Sequence, residues 1–122
     1  MNLITRHQHR ALITDLLTAP QTILDLQAAL EITEREYTSM LAHLTLRAWM
    51  EPLFPPKKDG DPMRPAGNEE ERRLAVQIVC QRDPDFTRVT AIHEDVQRRL
   101  GYERNRLEAA RIVSRLIGEG QH

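Results

Sequence analysis

Five of the seven prolines in this 122-residue chain fall between Pro52 and Asn68, in the run PLFPPKKDGDPMRPAGN. Proline fixes φ and carries no amide donor, so no continuous helix crosses this stretch. It separates two segments, 3–50 and 68–118, in which apolar residues recur at helical spacing. Almost nothing in either segment alternates with the period of a strand. The expected class is mainly α, with helical units at 1–51 and 68–122 joined by a Pro/Gly-rich wing or linker at 52–67.

The first segment contains three helical patterns. Ala11, Leu12, Ile13, Leu16 and Leu17 form an apolar stripe over about 3–18, closed by Ala19-Pro20. Thr22-Ile23-Leu24-Asp25 then has the form of a capping box, opening a short helix with Ile23, Leu26, Ala29 and Leu30 on one side. Thr33-Glu34-Arg35-Glu36 repeats that form and opens a helix carrying Tyr37, Met40, Leu41, Leu44 and Ala48. A connection this brief predicts a steep crossing of two short helices.

The second segment follows the same plan. Asn68 before Glu69-Glu70-Glu71 reads as an N-cap with acids over the positive helix end. That helix carries Leu74, Ala75, Ile78 and Val79 and stops at Asp83-Pro84. The next turns Val89, Ile92, Val96 and Leu100 inward and ends at Gly101. A third, from about Glu103 to Ile117, carries Leu107, Ala110, Val113, Leu116 and Ile117, with Gly118 as its stop. Asp25–Leu30 aligns with Asp95–Leu100 at an offset of 70, a pattern shared by distant duplication and by generic amphipathicity.

Seventeen Lys and Arg against 18 Asp and Glu leave a net charge of −1, so no bulk positive field marks a nucleic-acid partner. The single cysteine, Cys80, excludes an intrachain disulfide and fits a reducing compartment. With no signal-peptide pattern at Met1–His7 and no long apolar run, a cytoplasmic location without membrane contact is expected. Cys80 lies among Ile78 and Val79, where a buried inert thiol is the expectation. His7 and His9 point apart on a helix and the other histidines are scattered, so no metal or other cofactor is expected. No Gly-rich phosphate loop, serine elbow or paired-carboxylate motif is present, and no enzymatic activity is expected.

From Ala11 to Leu53 the chain resembles the winged helix-turn-helix domain of bacterial and phage DNA-binding regulators. Leu26, Ala29, Leu30 and Ile32 stand where that family keeps its turn-packing residues, and Tyr37, Leu41 and Leu44 on its recognition-helix core face. Trp49 and Met50 fall where the first wing strand starts, and Lys57-Lys58-Asp59-Gly60 supplies a turn with two cations. Residues 87–118 resemble a second, wingless helix-turn-helix. The resemblance implies a small transcriptional regulator on double-stranded DNA, acting as a homodimer. Helix 33–47 would enter the major groove through Arg35, Thr38, Ser39 and His43, with Lys57, Lys58 and Arg64 on the flanking backbone.

Residues 98–115 add Arg98, Arg99, Arg104, Arg106, Arg111 and Arg115 against Glu103 and Glu108, a local net of +4. Arg104, Arg106, Arg111 and Arg115 are the expected second DNA contact, arginine suiting phosphates and guanine edges alike. A helix face laced with Glu108 pairs needs no partner, and that reading stays open. So does a second function. Neutral overall charge and the acids Glu34 and Glu36 at the head of helix 33–47 suit a helical adaptor or inhibitor that binds protein. The apolar cluster Trp49, Met50, Leu53 and Phe54 either seals the core or forms a dimer contact.

Overall fold

A computed structural model describes residues 5–120 of the chain. Three helices account for most of them: α1 (Arg6–Met50), α2 (Glu69–Arg82) and α3 (Pro84–Gly120). The mainly α expectation holds. The number of helices does not, since three of the expected breaks are absent.

α1 runs for 45 residues through both expected breaks, with Pro20 inside it. Its start is a reciprocal capping box one segment earlier than the two expected ones. The Thr5 amide donates to Gln8 Oε1 at 2.9 Å, and the Gln8 amide to Thr5 Oγ1 at 3.2 Å. Thr22 caps nothing; its hydroxyl donates to the Thr18 carbonyl at 3.2 Å, while the Asp25 carboxylate accepts from the Gln21 side-chain Nε2 at 3.0 Å. Thr33 is buried and its hydroxyl lies 2.9 Å from His93 Nδ1. A threonine hydroxyl satisfied by the carbonyl four residues back is compatible with the helix interior. No glycine interrupts 6–50, and Gln27-Ala28-Ala29-Leu30-Glu31 and Glu34-Arg35-Glu36 on either side of the join are strong helix formers, so intrinsic preference carries the helix across Glu31-Ile32.

α2 has the expected cap and end, and Ala75 and Val79 of its expected apolar face are buried, but Leu74 is 47% exposed. Asn68 is extended (φ −145°), and its side chain accepts from the Glu71 amide at 2.8 Å, a cap typically worth about 1 kcal/mol. Asp83 ends α2 and opens α3. Its amide donates to the Cys80 carbonyl, and its carboxylate accepts from Phe86 at 2.8 Å, with Pro84 at the first helical position. α3 continues through Gly101, the expected stop. A C′ glycine adopts positive φ, and among the described residues only Gly60 does, at +89°.

The chain divides into two units. The first comprises residues up to Glu31 and those from Glu94 onward; the second is Ile32–His93. In the first, α1 and α3 run antiparallel, with Asp15 opposite Arg106 and Thr22 and Leu26 opposite Arg99 and Tyr102. Among the described residues its buried apolar side chains are Ala19, Leu100, Leu107 and Ala110, a thin core for two helices.

The second unit has the more continuous core. Leu44 and Ala48 of α1 meet Ala75 and Val79 of α2, and Phe54 closes the cluster from the loop. Ala48 and Ala75 are both fully buried, which lets the helix backbones approach closely. Tyr37 stacks on Phe86 and on His93, with ring centroids 5.4 and 5.6 Å apart. The expected wing is a single antiparallel bridge, Phe54 with Arg64, made by amide–carbonyl bonds of 3.0 and 2.9 Å. No strand forms among the described residues. Trp49 and Met50 belong to the last turn of α1 instead. The expected turn at Lys57–Gly60 is present, with the Asp61 amide donating to the Lys58 carbonyl.

Candidate interaction surfaces

The expected DNA-contacting side chains fall into three groups. Arg35, Thr38, Ser39 and His43 are exposed on α1 within the second unit, but mid-helix, where no free N-terminus faces outward. Lys57 and Lys58 are exposed at the loop tip. Arg104, Arg111 and Arg115 are exposed on α3, at spacings of seven and four, and make no ion pair among the described residues.

The remaining expected contacts, Arg64 and Arg106, are engaged internally. Arg64 grips Glu71 with two parallel bonds of 2.8 Å and lies over the Phe54 ring, its guanidinium carbon 5.8 Å from the centroid. The Gly67 amide adds a third donor to Glu71, at 2.9 Å. These donors favour the carboxylate: the Arg64 guanidinium, then the Gly67 amide, hold the Glu71 pKa down to about 2 from an ordinary 4.5. Arg106 bridges Asp15 at 3.5 Å and Glu103 at 2.8 Å, tying α3 to α1 within the first unit. Arg98 and Arg99 both pair with Asp95.

Glu71 gives a pH prediction. A carboxylate with a folded pKa below its unfolded value stabilises fully above the unfolded pKa and ceases to do so as pH falls through the folded one. Between about pH 4.5 and 2 the urea midpoint of the wild-type chain should therefore fall more steeply than that of Glu71→Gln. Parallel curves across that window would show the pair to be unformed in solution.

Charge is balanced in each unit. The first holds eight arginines against eight acids, and the second nine cations against ten acids. The surfaces that stand out are apolar. On α1 of the first unit Ile13, Leu17 and Leu24 are exposed at i, i+4 and i+11, one stripe of the helix, Leu17 at 74%. On α3 Tyr102, Ile112, Val113 and Leu116 are likewise exposed. Leu12 and Leu16 are half-buried, so the single stripe read at 11–17 is two stripes. In the same way Leu107 and Ala110 are buried, while Val113, on the cleft beside Leu12, and Leu116 are exposed.

The second unit adds Leu46, Trp49 and Met50 at the end of α1, of which Met50 is 79% exposed. Phe54 and Leu53 of the expected 49–54 cluster seal the core; Trp49 and Met50 do not. Arg72 of α2 stacks over the Trp49 ring at 5.4 Å. That pairing was illegible in sequence, because the two residues are separated by the whole proline-rich loop. Burial pushes the Cys80 thiol up, and no group of three potential metal ligands occurs among the described residues. Among the described residues no helix is long and apolar enough to cross a membrane. No family model, no curated protein and no solved structure matches this chain.

Proposed function

We propose that this chain is a helical protein-interaction module, an adaptor or inhibitor that engages other helices through apolar faces. One observation carries the reading: large apolar side chains stand exposed at helical spacing on both α1 and α3 of a unit whose own core is thin. Fully burying an exposed Leu or Ile side chain contributes roughly 1.5–3 kcal/mol, so covering the exposed parts of these residues by a partner supplies a driving force that offsets part of the cost of association. The absence of net positive charge in either unit supports the same choice, since duplex binding draws on phosphate neutralisation.

Binding of double-stranded DNA, as in the winged helix-turn-helix family, is the second reading. The observation favouring it is the row Arg104, Arg111 and Arg115, which make no ion pair among the described residues.

Two measurements separate them. Cross-linking in the native host should recover a defined set of proteins with the wild-type chain and lose it with Leu17→Glu combined with Leu24→Glu. Light scattering then tells whether that set includes a second copy of the chain. In electrophoresis at low salt, micromolar protein should leave random duplex unretarded. Retardation abolished by Arg111→Glu with Arg115→Glu would overturn the adaptor in favour of the regulator.

A further inference from the structure

Where α1 ends against α2, Thr45 and Trp49 face Glu69, Arg72, Arg73 and Val76 across an open groove of about 540 Å³. The groove lies wholly within the second unit and is distinct from the apolar stripes of the first. Its floor is mostly apolar, and Leu46 and Met50 stand exposed on the same end of α1.

Two of its polar groups, the Arg72 guanidinium and the Trp49 indole, are poised for an acceptor, whereas the Thr45 hydroxyl already donates to the Leu41 carbonyl. The Arg72 guanidinium lies over the indole 5.4 Å from the ring centroid, and Arg72 makes no ion pair among the described residues. A guanidinium packed on a ring face keeps its donor fork available, and stacking restricts the rotamers it would otherwise lose on binding. The indole N–H of Trp49 has no protein acceptor among the described residues, and the residue is 42% exposed. Arg73 is matched by Glu69 at 3.3 Å, which leaves Arg72 as the unmatched charge of the groove.

The geometry points to this groove as the docking site for an acidic, apolar peptide segment of a protein partner. One aliphatic side chain seats against the indole and Val76, and a flanking carboxylate meets Arg72 in a two-bonded fork. The charge argument selects the occupant: a basic segment leaves Arg72 repelled, and a purely apolar one covers Arg72 and the indole N–H without acceptors. Tryptophan and arginine are also the residues that most often dominate binding energy at protein interfaces. This inference rests on the interaction-module reading and assigns it a second, chemically specified contact.

Trp49 is the only tryptophan, so its emission reports on the groove directly. The probes are two acetylated peptides, Gly-Asp-Leu-Leu-Asp-Gly and Gly-Lys-Leu-Leu-Lys-Gly, titrated into the full chain at low salt. The aspartate peptide should produce a saturable blue shift and the lysine peptide none. Arg72→Glu should weaken the aspartate peptide by about tenfold or more, the scale of a lost charge-assisted bond. Trp49→Ala, read by calorimetry, should abolish binding, while Leu17→Glu in the first unit should leave it unchanged. All three altered side chains, Arg72, Trp49 and Leu17, are exposed, so circular dichroism should show intact helices. Absence of a saturable shift, equal binding of the lysine peptide, or insensitivity to Arg72→Glu overturns the assignment. If the peptide fails while Leu17→Glu with Leu24→Glu still strips partners from the chain, the groove falls and the module reading stands.

Discussion

Leu44→Ala is expected to lower the unfolding free energy by about 2–4 kcal/mol, whereas Leu46→Ala two residues away should change it by a few tenths. Leu44 is 2% exposed and sits among Ala48, Ala75, Phe54 and Val79. Two of those neighbours are fully buried alanines, whose side chains are too short to reach into the void the lost carbons leave, so the surroundings fill it poorly. Leu46 is 61% exposed and has little burial to lose. Denaturant unfolding followed by circular dichroism checks both variants. Similar losses for the two would mean that the end of α1 packs with a different face toward α2.

Pro20→Ala should stabilise the chain by about 2 kcal/mol. Proline inside a helix removes one backbone bond and crowds the carbonyl four residues back, here Leu16, at a cost of roughly 3 kcal/mol. Part of that gain is offset, because alanine leaves the unfolded chain about 0.4–1 kcal/mol more conformational freedom. The helix around Pro20 also carries a row of hydroxyl-to-carbonyl bonds, Thr14 to Arg10, Thr18 to Thr14 and Thr22 to Thr18, at 3.0, 2.7 and 3.2 Å. Bonds of this kind accompany bent helices and place Pro20 in a stretch already adapted to it. A rise in melting temperature together with helical ellipticity confirms a continuous α1. Unchanged or lowered stability would restore a break at Ala19-Pro20.

Pro20 also marks where local reading misleads. Thr5-Arg-His-Gln8, Thr22-Ile-Leu-Asp25 and Thr33-Glu-Arg-Glu36 have related local forms, yet only the first caps a helix. A threonine hydroxyl is satisfied equally well by a cap amide, by the carbonyl of the preceding turn, or by His93 sixty residues away. Gly101 is a parallel case: an added Cβ would meet nothing within 4 Å, so the glycine accompanies an open helix surface rather than a turn. Local form offered each of these positions two roles, and packing chose.

The interaction surfaces were legible only in part. Helical spacing identifies the apolar residues of 11–17 and 107–117, but a stripe of that width contains both a buried edge and an exposed one. Which edge is which depends on the direction of the opposing helix. For the same reason Arg64 and Arg106 read as free cations until Glu71 and Asp15 are placed beside them.

By itself the sequence determined what depends on neighbours along the chain. It excluded a helix from the proline-rich stretch, set the Asn68 cap and the Asp83-Pro84 junction, and placed Leu44, Ala48, Ala75 and Val79 on inward faces. Only the tertiary structure decided whether Pro20 and Gly101 interrupt a helix, which arginines are matched, and that Trp49 meets Arg72. The reason is physical: caps and periodicity are energies of a few adjacent residues. Continuity and charge pairing are settled by groups far apart in the chain that only folding brings together.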